Sequence, residues 1–173
     1  LFRSRENSSD FLAGGILVSA EATFDLLRTD LLENHASRAG GLQVTDSTYA
    51  LDEMVVSGNT MDEYAAVILT RGSGWLRSGE IRDNVAQESV GGIFTVVSDP
   101  ASVDVRCTVV CGNLGGAQVI GDFSDGGDNC IQDECDGDGD GIDDCIGCPP
   151  CPADLNGDER VDGADLGDWL GLW

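Results

Sequence analysis

Asparagine recurs along most of the chain at a nearly constant interval, and this repeat restricts the fold more than any other feature. The residues are Asn7, Asn34, Asn59, Asn84 and Asn113, at spacings of 27, 25, 25 and 29. Pairs of small residues keep step with them, at Gly14-Gly15, Gly40-Gly41, Ala66-Val67, Gly91-Gly92 and Gly115-Gly116. A fixed period of this length indicates a repeat architecture in which each unit stacks on its neighbours.

Apolar residues occupy fixed positions before each asparagine. Three residues before it stand Leu31, Val56, Ile81 and Val110; eight before stand Leu26, Leu51, Leu76 and Val105; ten before stand Phe24, Tyr49, Gly74 and Val103. The positions between them are mostly polar or charged. Alternation with a period of two inside the longer period predicts short strands that stack coil on coil around one core.

The repeated asparagines and glycines have a physical role in such a coil. Asparagine tolerates the left-handed backbone region at a sharp bend. Asparagine amides stacked about 4.8 Å apart can also hydrogen-bond to each other along the axis. Glycine allows a second tight corner.

The repeat resembles that of right-handed parallel β-helix proteins over residues 1–120. The predicted fold class is therefore all-β, a right-handed parallel β-helix followed by a small calcium-binding loop–helix tail. A leucine-rich repeat would space its leucine and asparagine columns differently, and a β-sandwich would not hold one period so strictly. Because an uncovered end would expose a sheet edge, we expect further coils upstream of Leu1.

Charge is distributed unevenly along the 173 residues. The net charge is −23; residues 1–120 hold 16 acids and 8 arginines, whereas residues 121–173 hold 16 acids and one arginine. The chain has no lysine and no basic face to neutralise phosphates, so nucleic acid is not an expected partner. No apolar stretch reaches the length of about 20 residues that a transmembrane helix needs.

The outward positions of the coils hold no catalytic constellation in the sequence. β-Helix lyases and hydrolases need outward carboxylate pairs, or a cation with a base. The row predicted to face outward after the small pairs contains Leu17, Gln43, Leu69, Phe94 and Gln118. Its apolar members would form a strip for sugar or protein, or be buried under a loop or the tail. Asp25, Asp52, Arg77, Asp104 and Arg106 are interpreted as charge pairs between coils, and His35 as a solvent-facing turn residue.

Five of the seven cysteines lie between residues 130 and 151, beside acidic loops. This clustering favours a secreted, disulfide-linked segment. Cys145, Cys148 and Cys151 could instead hold zinc or an iron–sulfur cluster, but the adjacent prolines suit a disulfide-pinned linker. The stretch from Asp136 resembles thrombospondin type 3 calcium repeats. The resemblance implies a weaker calcium site at Asp136, Asp138, Asp140 and Asp144, and a loose acidic linker is the alternative.

The last twenty residues carry the clearest metal-binding motif. Oxygen ligands at positions 1, 3, 5, 7, 9 and 12 of a loop are the spacing that Ca²⁺ requires. The predicted ligands are Asp154, Asn156, Asp158, Arg160 through its backbone carbonyl, Asp162 and Asp165. Leu166, Trp169, Leu170 and Trp173 then mark one face of a short helix. The segment resembles a dockerin type I module, although position 6 is Glu159 rather than glycine and only one loop–helix unit is clear.

These features together resemble secreted β-helix proteins of planctomycete-like bacteria. We divide the chain into a solenoid at 1–120, a cysteine- and aspartate-rich linker at 121–150 and a dockerin-like unit at 151–173. The expected protein is secreted or on the cell surface, binds Ca²⁺, and has a structural, ligand-binding or attachment role toward a polysaccharide or cell-envelope component. The dockerin resemblance implies a cohesin-like partner. The alternative is a polysaccharide lyase or glycoside hydrolase whose catalytic coils lie upstream.

Overall fold

The chain folds as an all-β parallel solenoid of about five coils, seen in a computed structural model that describes residues 2–87, 89–97 and 102–136. The described residues contain no helix. Three parallel sheets run along the solenoid, and each coil contributes strands to them in turn. We number these sheets 1, 2 and 3 in the order in which the chain enters them.

Sheet 1 is the largest. Its nine strands are Phe2–Arg5, Thr23–Leu32, Thr48–Ser57, Ser73–Arg77, Glu80–Arg82, Val103–Arg106, Val109–Cys111, Ser124–Asp125 and Cys130–Gln132. The last two strands pair in parallel with the coil before them, so stacking continues past residue 120. The interval 121–130 therefore contains strand residues.

Sheets 2 and 3 complete each coil. Sheet 2 consists of Ser8–Ser9, His35–Ala36, Thr60–Met61 and Val85–Ala86, which follow the asparagines. Sheet 3 consists of Ile16–Val18, Ala39–Thr45, Ala65–Thr70, Ile93–Val96 and Val119–Ile120.

The predicted apolar columns form the core. Leu26 pairs with Leu51, which pairs with Leu76, which in turn pairs with Val105. The column of Leu31, Val56, Ile81 and Val110 is in register in the same way, and all four residues are fully buried. Stacking identical positions lets each coil cover the apolar edge of the previous one, so one continuous core runs through the solenoid.

The repeated asparagines form a buried ladder of hydrogen bonds. The backbone N–H and the Nδ2 amide of Asn34 both donate to Oδ1 of Asn59, at 2.9 and 3.1 Å. Asn59 donates in the same way to Asn84, and Asn84 to Asn113. The predicted amide stacking is confirmed, and every rung points in the same direction along the chain.

The sharp bend beside the ladder lies one residue earlier than predicted. At this bend the residues with positive φ are Glu6, Glu33, Gly58, Asp83 and Gly112, each directly before an asparagine. The asparagines themselves are absent from the positive-φ positions. Asparagine is required here for its buried amide, and the preceding residue takes the left-handed conformation.

A disulfide closes the C-terminal end of the described solenoid. Cys111, fully buried in the last strand pair, is bonded to Cys135 with a Cα–Cα distance of 5.1 Å. Cys107 and Cys130 are disulfide-bonded as well. The Cys111–Cys135 bond attaches the final partial coil covalently to the coil beneath it.

Candidate functional site

The predicted calcium ligands lie almost entirely outside the described residues. This applies to all six positions of the final loop, from Asp154 to Asp165, and in the weaker loop to Asp138, Asp140 and Asp144. Asp136 is described. Within the described part of the chain no three His, Cys, Asp or Glu residues are grouped to hold a metal ion. Calcium binding therefore stays a prediction.

The outward row of sheet 3 differs from the predicted one at two positions. The residues in register are Leu17, Gln43, Ile68, Phe94 and Ile120. Leu69, predicted to face outward, is 1 % exposed and belongs to the core. The reason is that this coil has one residue fewer at its corner than the coil before it. Ala39 pairs with Ala65, but Leu42, three residues on, pairs with Val67, only two residues on. The predicted apolar strip of Leu17, Leu69 and Phe94 is therefore wrong.

Gln118, also predicted to face outward, has a different role at the end of the asparagine ladder. Its Oε1 accepts from the Nδ2 and the backbone N–H of Asn113, at 2.8 and 3.3 Å. Its Nε2 donates to the Asn113 carbonyl at 2.9 Å. Gln118 thus takes the place of the next asparagine and satisfies the last rung.

The middle of the sheet 3 outer face is covered by a corner side chain. The Tyr64 ring packs 5.6 Å from the ring of Phe94, and both lie against the buried Ile68. The Arg38 guanidinium lies over the Tyr64 ring at 4.7 Å. Burial under a neighbouring segment is one of the two outcomes predicted for this row. Ile68 is buried in this way, whereas Leu17, at one end of the row, is 48 % exposed.

Charge pairs connect adjacent coils on the outer surface, as predicted for the pair of Arg77 and Asp52. Arg77 makes two hydrogen bonds to the Asp52 carboxylate, at 3.0 and 2.8 Å. Arg71 binds Asp46 in the same two-pronged geometry. Asp104 and Arg106, by contrast, approach within one strand at 3.7 Å. His35 follows its turn as predicted, and its Nδ1 lies 2.9 Å from Oγ1 of Thr60 in the next coil.

The Asp46 and Arg71 pair gives a test by pH. The hydrogen bonds from Arg71 hold the pKa of Asp46 below its ordinary value. This carboxylate therefore stabilises the fold above the unfolded pKa, and its contribution is lost as the pH falls through the folded pKa. We expect Arg71→Gln to raise the Asp46 pKa toward its ordinary value in a carboxyl ¹³C NMR titration. Arg77→Gln, one pair away, is the control and should leave it unchanged.

A groove lies at the corner between sheets 3 and 1. We call it the corner groove and define it as residues 21–25, 46–50 and 71–75. It crosses three coils. Each coil turns there through a left-handed residue, namely Glu21, Asp46 or Arg71. Two cavities of about 240 and 290 Å³ lie along it and share Thr48 and Ser73.

The corner groove combines hydroxyl groups with aromatic rings. Thr23, Thr48 and Ser73 are in register on successive coils. Trp75 forms part of the wall of the larger cavity, and the Arg77 guanidinium packs over its ring at 4.5 Å. Hydroxyls supply both donors and acceptors, and aromatic rings supply a flat apolar surface, so this groove can bind a polar organic ligand.

Tyr49 borders the same cavity, but its side chain packs in the core, on the opposite face of its strand from Thr48. Its side chain is 3 % exposed, and its Oη is buried without a hydrogen-bond partner. Burial raises the pKa of Tyr49 above its ordinary value, so the phenol stays protonated. The ring occupies space that Gly74 leaves open, since a Cβ at Gly74 would meet Cε2 of Tyr49 at 2.7 Å. The sequence predicts Tyr49 in the core but does not predict the groove. The one signal of the groove in the sequence is the column of Thr23, Thr48 and Ser73, each one residue before the column of Phe24, Tyr49 and Gly74.

Comparison with models of protein families, with curated proteins and with solved structures found no match to this chain. In residues 2–87, 89–97 and 102–136, no helix has the length and apolarity that crossing a membrane requires.

Proposed function

We propose that the protein is an extracellular or cell-surface structural element, in which the solenoid is a rigid spacer and the C-terminal segment a calcium-dependent attachment unit. The observation that carries this proposal is the unbroken ladder from Asn7 to Asn113, which links five successive coils through side-chain hydrogen bonds and ends on Gln118. A buried, fully connected polar network rigidifies the structure around it.

Three further features support an extracellular role. Disulfides such as Cys111–Cys135 persist in oxidising compartments and are rare in the cytosol. The outer surface is tied together by arginine–carboxylate pairs on neighbouring coils, which reinforce a long, thin structure. The excess negative charge at the C-terminal end suits a segment that binds cations.

The proposal also includes the finer features that the resemblance implies. The solenoid winds with a right hand, which is the usual hand of a crossover between parallel strands. Residues 154–165 bind Ca²⁺ in a dockerin-like loop followed by a short helix, and residues 136–144 form the weaker site. The attachment partner is a polysaccharide or cell-envelope component, or a cohesin-like protein.

Calcium titration of the whole chain by isothermal calorimetry tests the attachment unit. We expect saturable uptake with a Kd of about 10⁻⁴–10⁻³ M, the range of extracellular calcium modules. Asp154→Ala together with Asp158→Ala should abolish the uptake at the final loop. Asp104→Asn, which removes one carboxylate from the solenoid, is the matched control. No uptake at millimolar calcium, or equal uptake by the double variant, would refute the calcium site.

A further inference from the structure

We propose that the corner groove is a binding site for a short segment of a neutral polysaccharide. The inference goes beyond the spacer role and does not require the calcium loop. It follows from three observations: a row of hydroxyls, a fixed aromatic wall, and the sign of the charge around the groove.

The row of hydroxyls matches the chemistry of a sugar chain. Thr23, Thr48 and Ser73 pair in register, so their side chains repeat at the spacing of adjacent strands, about 4.8 Å. Each hydroxyl can donate one hydrogen bond and accept others, as a sugar hydroxyl does. Thr23 and Thr48 are exposed, and Ser73 is half-buried with its Oγ accepting from the backbone N–H of Ser102 at 3.3 Å. A ligand with hydroxyls along its length can therefore follow the row across three coils.

The aromatic wall is held in place before any ligand arrives. Trp75 is half-buried, and Arg77 packs over its ring while bonding to the Asp52 carboxylate of the previous coil. These contacts restrict the ring, so less conformational freedom is lost when a ligand binds. The apolar face of a pyranose ring can pack on such a surface while the ring hydroxyls remain free to hydrogen-bond.

The charge around the groove decides which sugars fit. The groove is lined by three carboxylates and one guanidinium, those of Glu21, Asp25, Asp46 and Arg71, so its lining is net negative, and Asp25 is exposed. Uronate or sulfated chains would be repelled. A neutral chain is not repelled, and its hydroxyls can donate to the Asp25 carboxylate, which forms hydrogen bonds stronger than those between neutral groups.

Calorimetric titration of the full chain with cellotetraose, mannotetraose and maltotetraose tests the site, with tetragalacturonate as the anionic comparison. All titrations contain EDTA, so that failure of the calcium site cannot affect the result. We expect saturable binding of at least one neutral tetrasaccharide and none of the uronate. Trp75→Ala should weaken that binding by about tenfold or more, and Thr48→Ala, which removes a hydroxyl that lines both cavities, by about fivefold.

The matched control is Phe11→Ala, because Phe11 is an exposed aromatic residue outside the groove. It should bind as the unaltered chain does, and far-UV circular dichroism of each variant reports whether the solenoid is folded. The proposal is overturned if no neutral tetrasaccharide binds at about 10 mM, well above the millimolar affinities of weak ligands. It is equally overturned if the uronate binds as well as the neutral sugars, or if folded Trp75→Ala and Thr48→Ala bind with unchanged affinity.

Discussion

Replacing Asn84 by alanine should lower the free energy of unfolding by about 3–5 kcal/mol. Asn84 is fully buried in the middle of the ladder. Its Oδ1 accepts from the backbone N–H and the Nδ2 of Asn59, both at 2.9 Å. Its Nδ2 donates to Asn113 Oδ1 and to the Val56 carbonyl. Alanine would leave groups on both neighbouring coils buried and unpaired, and each such group costs about 1–3 kcal/mol.

Urea unfolding followed by circular dichroism measures this loss. Asn7→Ala is the matched control, since Asn7 occupies the same column at the end of the ladder but is exposed. Water can replace the Asn7 amide, so we expect a loss of about 1 kcal/mol there. If both variants lose the same stability, the ladder does not hold the coils together in the way we describe.

The second large effect is expected from Gly92→Ala, which should destabilise the fold by about 3 kcal/mol. A Cβ on Gly92 would collide with the Gln118 carbonyl oxygen of the next coil and come within 2.8 Å of Cγ1 of Val110. The carbonyl cannot move freely, because it accepts from the Ile93 N–H at 2.9 Å. Moving it would also disturb the Gln118 side chain, which completes the ladder.

Ala66 provides the control for this position. It precedes Val67 as Gly92 precedes Ile93, and Val67 pairs with Ile93, so the two residues occupy one column. Ala66→Gly removes a buried methyl group without creating a clash, and should cost about 1 kcal/mol. Thermal unfolding of both variants measures the two losses of stability. If Gly92→Ala is as stable as Ala66→Gly, the backbone at this corner can shift to accommodate a Cβ at little cost, and the predicted effect is wrong.

The core was predictable from the sequence because it depends on repetition. Leu51, Val56 and Tyr49 stand at fixed distances before an asparagine, and parallel pairing brings residues at equal distances together. The amide ladder follows from the same rule. None of this required knowledge of how the chain turns its corners.

The outer face was less predictable because it depends on single residues at the corners. One residue fewer between Ala65 and Val67 turns Leu69 inward and Ile68 outward. Gln118 could be identified as the end of the ladder only from the fold, since its amide reaches Asn113 across a turn. The corner groove likewise arises where three coils meet, and no single stretch of sequence contains it.

The one-way ladder has a consequence for how the length of such a protein can change. Each rung presents the same donors to one side and the same acceptor to the other, so an asparagine coil fits between any two others. Gain or loss of a whole coil would preserve every hydrogen bond, whereas a change that removes an asparagine from the column would break the ladder. Differences in corner length are tolerated, since the rungs form at asparagine spacings of 25 to 29 residues. We therefore expect relatives of this solenoid to differ in length by whole repeats, and single-residue differences to be confined to corners such as the one at Ala66.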